Sequence, residues 1–150
     1  MTIAISIDPA DGALGIGDGI SLTAFQRRQS VAPLVEAWQF GERDFGNGYS
    51  WLDLDGFTFG GLSANLSLCF AFGRLEQASW GVRLPGQESG GGWPSAEAIE
   101  EEIAFVRAEL AEQLGVASIG DQMAFDWGVV WSQYDPKGGL PAHGLRYGRG

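Results

Sequence analysis

Cysteine and histidine are almost absent from this sequence, with Cys69 and His143 the only examples. A lone cysteine excludes an intramolecular disulfide, and one cysteine with one histidine does not make the ligand set of a common zinc site, so no metal or cofactor is expected. Nothing in the cysteine usage points to an oxidising compartment. Apolar runs of membrane-spanning length are missing as well. The N-terminus, MTIAISIDPADG, has no basic stretch and reaches Asp8 before an apolar segment forms; no secretory signal is read, and a cytoplasmic location is expected. Basic side chains are scarce, since nine Lys and Arg against nineteen Asp and Glu leave a formal charge of −10. Such a charge repels phosphate backbones and anionic lipid, so neither nucleic acid nor membrane is an expected partner. It speeds association with a basic protein at low salt, although a simple solubility role would need no partner.

Apolar residues and glycine are abundant. With 45% hydrophobic residues and 24 glycines in 150, the chain has material for a core and many turns. Its length suits one domain over residues 1–150, burying roughly 70% of its unfolded surface. The longest two-residue periodicity lies in residues 61–84, GLSANLSLCFAFGRLEQASWGVRL. Leu62, Ala64, Leu66, Leu68, Phe70 and Phe72 fall on one face of an extended strand, and Ser63, Asn65, Ser67, Cys69 and Ala71 on the other. The alternation restarts after Gly73 and Arg74 with Ala78, Trp80, Val82 and Leu84, which predicts a hairpin at the centre of an antiparallel sheet.

Around that hairpin the chain reads as short strands and one long helix. Ile3, Ile5 and Ile7 predict a first strand over residues 2–7, ended by Asp8, Pro9, Asp11 and Gly12, with a short return strand at 14–16. Ser21 suits an N-cap, and Leu22, Phe25 and Gln29 mark one face of a short N-terminal helix that Pro33 should end or displace. Residues 34–40 read equally as strand or as helical continuation. Asn47-Gly48 is the strongest hairpin signal, and the strand that follows over 49–55 puts Leu52 and Leu54 on one face and Tyr49, Trp51, Asp53 and Asp55 on the other. Residues 95–114 form the long helix: Ser95 caps it, Glu97, Glu100, Glu101 and Glu102 suit its positive end, and Gly115 stops it. Its apolar stripe of Ile99, Ile103, Val106, Leu110 and Leu114 belongs on a sheet. Residues 123–134 alternate again, with Phe125, Trp127, Val129 and Trp131 on the face the helix is expected to cover. A turn at 135–139 and an edge strand at 142–147 close the chain. The expected architecture is α+β, an antiparallel sheet with the long helix packed on one face and a short N-terminal helix.

Chemistry-bearing residues are few. Cys69 and His143 are the only thiol and imidazole for a hydrolase; the reading preferred here is a packed structural cysteine and a solvent-facing histidine. GIGDG at 15–19 lacks the lysine of a phosphate loop and sets Asp18 where an anion would sit, so it reads as a turn. Neither Asp8, Asp11 and Asp18 nor Asp53, Asp55 and Gly56 matches a calcium-loop pattern. The face of Tyr49, Trp51, Asp53 and Asp55 is more informative, because aromatic anchors beside carboxylates suit a hot spot for a basic surface. Two readings of it stand: a binding face, or aromatics covered by another layer with the aspartates at the rim. Glu101 and Glu102 extend the acidic candidate surface onto the helix, where a solvated face with a helix-dipole benefit is the simpler reading.

The order of ISIDP, FTFGG, LSLCFAFGRLEQASWGV, GGWPSAEAIEEEIAFVRAELAEQLG and FDWGVVWSQYDPKGG resembles the small acidic immunity proteins that bacteria encode beside secreted antibacterial toxins of type VI and related polymorphic systems. The resemblance lies in the plan of sheet plus helix and carries over no functional position. It implies a non-enzymatic inhibitor whose partner is a cognate toxin domain, bound so that the toxin active site is occluded. A cytoplasm-acting toxin with a basic cleft would suit the charge, met by Asp53, Asp55 and the acidic helix around a dry centre of Trp51 and Tyr49. Two other classes remain: a phage-type inhibitor imitating nucleic acid, and a small ligand-binding or hydrolase domain.

Overall fold

The computed structural model describes residues 3–17, 19–84 and 94–148. Where one first strand is expected, the chain makes two pieces. Ile3–Ala4 (β1) pairs in parallel with Phe57 and Thr58, and Ser6–Ile7 (β2) then leaves for a small sheet with Leu14–Gly15 (β3) and Ser21–Leu22 (β4). The isoleucine alternation survives the switch, with Ile5 and Ile7 buried and Ala4 and Ser6 exposed. Two side chains from the far end of the chain clamp this segment: Tyr147 Oη donates to Gly12 O at 2.6 Å, and Trp127 Nε1 donates to Pro9 O at 3.0 Å. Gly12 has φ +75°, and a Cβ there would run into the Trp127 ring, so sterics and backbone both demand glycine.

The short helix expected from Ser21 does not start there. Ser21 pairs with Gly15 in β4, residues 23–27 make a turn with Phe25 at φ +60°, and the helix occupies Arg28–Val35 (α1). Pro33 lies inside α1 and does not end it. The carbonyl it leaves without an amide partner belongs to Gln29, and both residues are exposed, so solvent can take the missing donor's place. A single 3-10 turn, Glu36–Trp38, leads into the first strand of the main hairpins.

The large sheet contains Gln39–Asp44 (β5), Tyr49–Phe59 (β6), Leu62–Ala71 (β7), Arg74–Val82 (β8), Gln122–Phe125 (β9), Gly128–Asp135 (β10) and Leu140–Tyr147 (β11). Its order is β1-β6-β7-β8-β11-β10-β9, with β5 also paired to β6, and every pairing except β1–β6 is antiparallel. The predicted hairpin, β7 and β8, is central. β11 is no edge strand: it is inserted between β8 and β10. The run 123–134 is also two strands, folded at Asp126 and Trp127. A two-residue turn inverts the parity of the alternation, so Met123 and Phe125 share a face with Gly128, Val130 and Ser132, whereas Val129 and Trp131 point the other way. Phe72 also departs from the β7 pattern, standing 77% exposed in the β7–β8 turn.

Ala96–Leu114 (α2) is bounded as expected, with Ser95 Oγ accepting from Ala98 N–H at 3.1 Å and Gly115 left-handed at φ +70°. Val106, Leu110, Ala111 and Leu114 are buried, and Ile99 and Ile103 only half so. Its main contacts are with β10 and β11 and with β2, so it covers one end of the sheet and not the central strands. Those are covered by the N-terminal third, whose Ile7, Leu14, Leu22, Val31 and Val35 join Leu54, Leu66, Leu68 and Phe70 in one core. Each such side chain contributes about 1.5–3 kcal/mol on burial. Among the described residues no helix is long and apolar enough to cross a membrane.

Candidate binding surface

The face of the sheet turned away from this core carries the residues singled out in the sequence. On β6, Trp51 lies opposite Arg43 of β5 and Cys69 of β7, and Asp53 lies opposite Gly41 and Ser67. The register continues to Gln77, Ser79 and Gly81 on β8, Gly144 on β11 and Trp131 on β10. The result is a strip of small and polar residues with a tryptophan on either side. Trp131 closes over Gly144, where a Cβ would collide with the indole.

Arg43 organises the acidic part. Its Nε and Nη2 donate to Asp53 Oδ2 and Oδ1 at 3.0 and 2.6 Å, and its guanidinium carbon lies 5.0 Å from the Trp51 ring centroid. Ser67 Oγ donates to Asp53 Oδ1 at 2.9 Å. Partial burial works to raise the Asp53 pKa, but the hydrogen bonds from Arg43 and Ser67 and the Arg43 charge outweigh it and hold the carboxyl below the usual aspartate range. Asp55 is exposed, with Arg83 at 4.0 Å. Tyr49 is exposed at the strand's start, its ring 6.0 Å from that of Phe72. Neither aromatic is covered by a second layer: Trp51 is half-buried beneath its neighbour Arg43.

Glu101 and Glu102 are not part of this surface, because α2 packs on the opposite face. Glu101 is exposed, whereas Glu102 turns toward the sheet. There His143, 1% exposed, corrects the expectation of a solvent-facing imidazole. Its Nε2 lies 2.7 Å from Glu102 Oε2, a carboxylate that can only accept, and its Nδ1 is hydrogen-bonded to Ser132 Oγ at 2.9 Å. Arg107 Nε donates to the Ser132 carbonyl at 2.9 Å, and its Nη2 reaches Asp121 at 2.6 Å. A serine, a histidine and a carboxylate in line suggest a hydrolase triad, but Ser132 has no exposed surface, so no substrate carbonyl reaches Oγ. The set is a satisfied core network.

Cys69 lies on the opposite face of the sheet from His143, so the two make no catalytic pair. Burial pushes its thiol pKa up, and Glu76 adds to the shift against an opposing effect of Arg43. Among the described residues, no three His, Cys, Asp or Glu side chains gather to hold a metal ion. Asp18 of the glycine-rich turn lies outside the described residues.

Sequence reasoning missed Arg43, Ser67 and Phe72. Arg43 was within reach: the Asn47-Gly48 turn sets Arg43 beside Trp51, and one diagonal step brings it to Asp53. Phe72 was not, since its outward turn follows from a left-handed backbone, φ +49°, that no periodicity announces.

No protein-family model and no curated protein matches this sequence. Among solved structures, the chain is similar to a chain of the complex "Rhs1-CT in complex with cognate immunity protein RhsI1", with a TM-score of 0.53 and 13% sequence identity over 95% of this chain and 86% of that one. What the two share is a fold, a large antiparallel sheet with helices, carried over nearly the whole length of both.

Proposed function

We propose that this protein is an immunity protein, a non-enzymatic inhibitor that binds a cognate antibacterial toxin domain in the cytoplasm and covers its active site. The observation that carries the reading is the whole-chain similarity of fold to a chain of a solved toxin–immunity complex. The chemistry agrees with it. The serine and histidine of the one serine–histidine–carboxylate set are sealed in the core, and the one thiol is buried and hard to ionise. The formal charge of −10 suits a toxin whose cleft is lined with basic side chains for a phosphate-bearing substrate.

The contact face of this reading is Tyr49, Trp51, Asp53 and Asp55, with the exposed acidic side of α2 around Glu101 as a second, separate surface from which Glu102, tied to His143, turns away. On the sheet, the aromatic pair supplies area to be dried on binding. Asp53 is already held in one orientation by Arg43 and Ser67, so ordering it costs little. Asp55, exposed beside it, acts mainly on the rate of encounter.

The test is to express, with and without this chain, the toxin domain encoded beside it. Co-expression is expected to restore growth, and the purified proteins to form a stoichiometric complex. Asp53→Asn with Asp55→Asn should slow association several-fold at low salt and less at high salt. A toxin domain that neither binds this chain nor loses its toxicity in its presence would end the immunity reading. Association unchanged in the double variant would remove this face from it.

A further inference from the structure

Three segments distant in sequence meet at one end of the large sheet: the approach to α1, the β5–β6 turn and the β7–β8 turn. Backbone hydrogen bonds lock them together. Phe25 N–H donates to Leu75 O at 2.9 Å, Leu75 N–H to Gln26 O at 2.8 Å, Arg28 N–H to Gly73 O at 2.8 Å and Phe72 N–H to Gly48 O at 2.6 Å. Between α1 with its approach and the β7–β8 turn opens a cleft of about 630 Å³ lined by Arg27, Arg28, Gln29, Ala32, Phe72 and Arg74.

This end differs from the rest of the molecule in three ways. First, it gathers exposed aromatic rings: Phe72 at 77% and Phe45 at 60%, with Tyr49 and Phe25 beside them. Second, Phe25 and Phe72 are the two non-glycine residues with positive φ among those described, at +60° and +49°. A left-handed backbone is unfavourable for phenylalanine, and at position 72 the strain serves to turn a large apolar ring into solvent. Gly48 makes room for that ring, since a Cβ there would overlap it. Third, the cleft is basic in an acidic protein, with three of the nine basic residues on its walls. Arg28 is paired with Glu42. The side chain of Arg27 makes no ion pair or hydrogen bond among the described residues, and that of Arg74 reaches only the Phe25 carbonyl at 3.3 Å.

We infer that this cleft is the second half of the toxin interface and takes an acidic segment of the toxin domain, a carboxylate between Arg27 and Arg74 with an adjoining apolar side chain on Phe72. The inference rests on the immunity reading and names the chemistry of its partner. Tyr49 joins the two halves, because it begins the acidic face and its ring lies 6.0 Å from that of Phe72. The composite surface therefore carries carboxylates on one side of an aromatic centre and guanidinium groups on the other. Such a bipolar arrangement accepts a partner in one orientation and rejects the reverse. Aromatic and arginine side chains around a preorganised centre are also the usual composition of a binding hot spot.

The test measures, by surface plasmon resonance, the affinity of the toxin domain encoded beside this chain for the wild type, for Arg27→Glu with Arg74→Glu, for Phe72→Gly, and for Asp53→Asn with Asp55→Asn. The thermal midpoint of each protein is recorded. The charge reversal and Phe72→Gly are each expected to raise Kd about tenfold or more. Phe72→Gly relieves the left-handed strain, so its midpoint should stay level or rise while binding falls, a pair of changes that a purely structural phenylalanine would not give. If the wild type binds and both cleft variants bind within about twofold of it, the cleft is not part of the interface and the immunity reading stands on the acidic face alone. If the wild type does not bind the toxin domain, both fall.

Discussion

Two polar networks of similar make-up sit on opposite faces of one sheet. Glu102, His143 and Ser132 join α2, β11 and β10 on the core side, and Arg43, Asp53 and Ser67 join β5, β6 and β7 on the open side. Each links three neighbouring elements through a carboxylate, a nitrogen-bearing side chain and a serine hydroxyl. The difference is in their surroundings. His143 and Ser132 are fully buried, so their polar atoms must find partners inside the protein, and only the Glu102 side chain, 20% exposed, reaches solvent. Arg43 is exposed, so water can replace the bonds that its guanidinium loses. The first network therefore fixes the docking of α2, and the second is free to trade its internal bonds for bonds to a partner. Resemblance to a catalytic triad belongs to the network that no substrate can reach, and the proposed binding role falls to the one that looks like an ordinary surface ion pair.

The sharpest way to break this comparison is to remove a ring from the buried network. His143→Ala leaves a cavity, an unpartnered Ser132 hydroxyl and a Glu102 carboxylate with no donor, and is expected to cost about 2–4 kcal/mol. Ser132→Ala with His143→Leu removes both buried polar partners and fills the space, so it should cost less than the single alanine variant. Urea unfolding at neutral pH measures both. A loss below about 1 kcal/mol for His143→Ala would mean that the network does not hold α2 in place. A smaller effect is expected from Glu102→Gln, which keeps a group able to accept from His143 but removes the charge, at about 1 kcal/mol in the same assay.

The sequence makes one of these networks far more legible than the other. Alternation picks out Leu52 and Leu54, then Ala64, Leu66, Leu68 and Phe70, and Ala78, Trp80 and Val82 as inward-facing, and leaves Trp51, Asp53 and Ser67 outside; the Asn47-Gly48 turn then supplies Arg43 by register. Local chemistry also marks α2, through Ser95 and Gly115. The buried network depends on pairings between distant segments. Nothing around His143 says that its strand lies between β8 and β10, because a strand's neighbours are chosen by the whole sheet and not by its own pattern. Ser132 was read on the side away from the helix because a two-residue turn at Asp126 and Trp127 inverts the parity of the alternation. The N-terminal helix was misplaced for a similar reason: Ser21 is a good N-cap, but its pairing with Gly15 in a second sheet takes precedence over local propensity.

The surface network gives the smallest effect, with a definite dependence on pH. Burial favours the neutral form of Asp53, but Arg43 and Ser67 hold the carboxyl below its ordinary value of 3.8. A carboxylate whose pKa is lower in the folded state than in the unfolded one adds stability that is fully present above the unfolded value and fades as pH falls through the folded one. Asp53→Asn should therefore cost at most about 1 kcal/mol at neutral pH, as expected for a half-exposed arginine partner that water can replace. The difference in unfolding free energy between wild type and variant should stay level from pH 7 to about 5 and shrink below about pH 4. Acids common to both proteins cancel in that difference, so the change reports on Asp53. A gap that widened on acidification would reverse the direction assigned to this carboxyl. It would also remove the reason for regarding Asp53 as an ionised, preoriented group available to a basic partner.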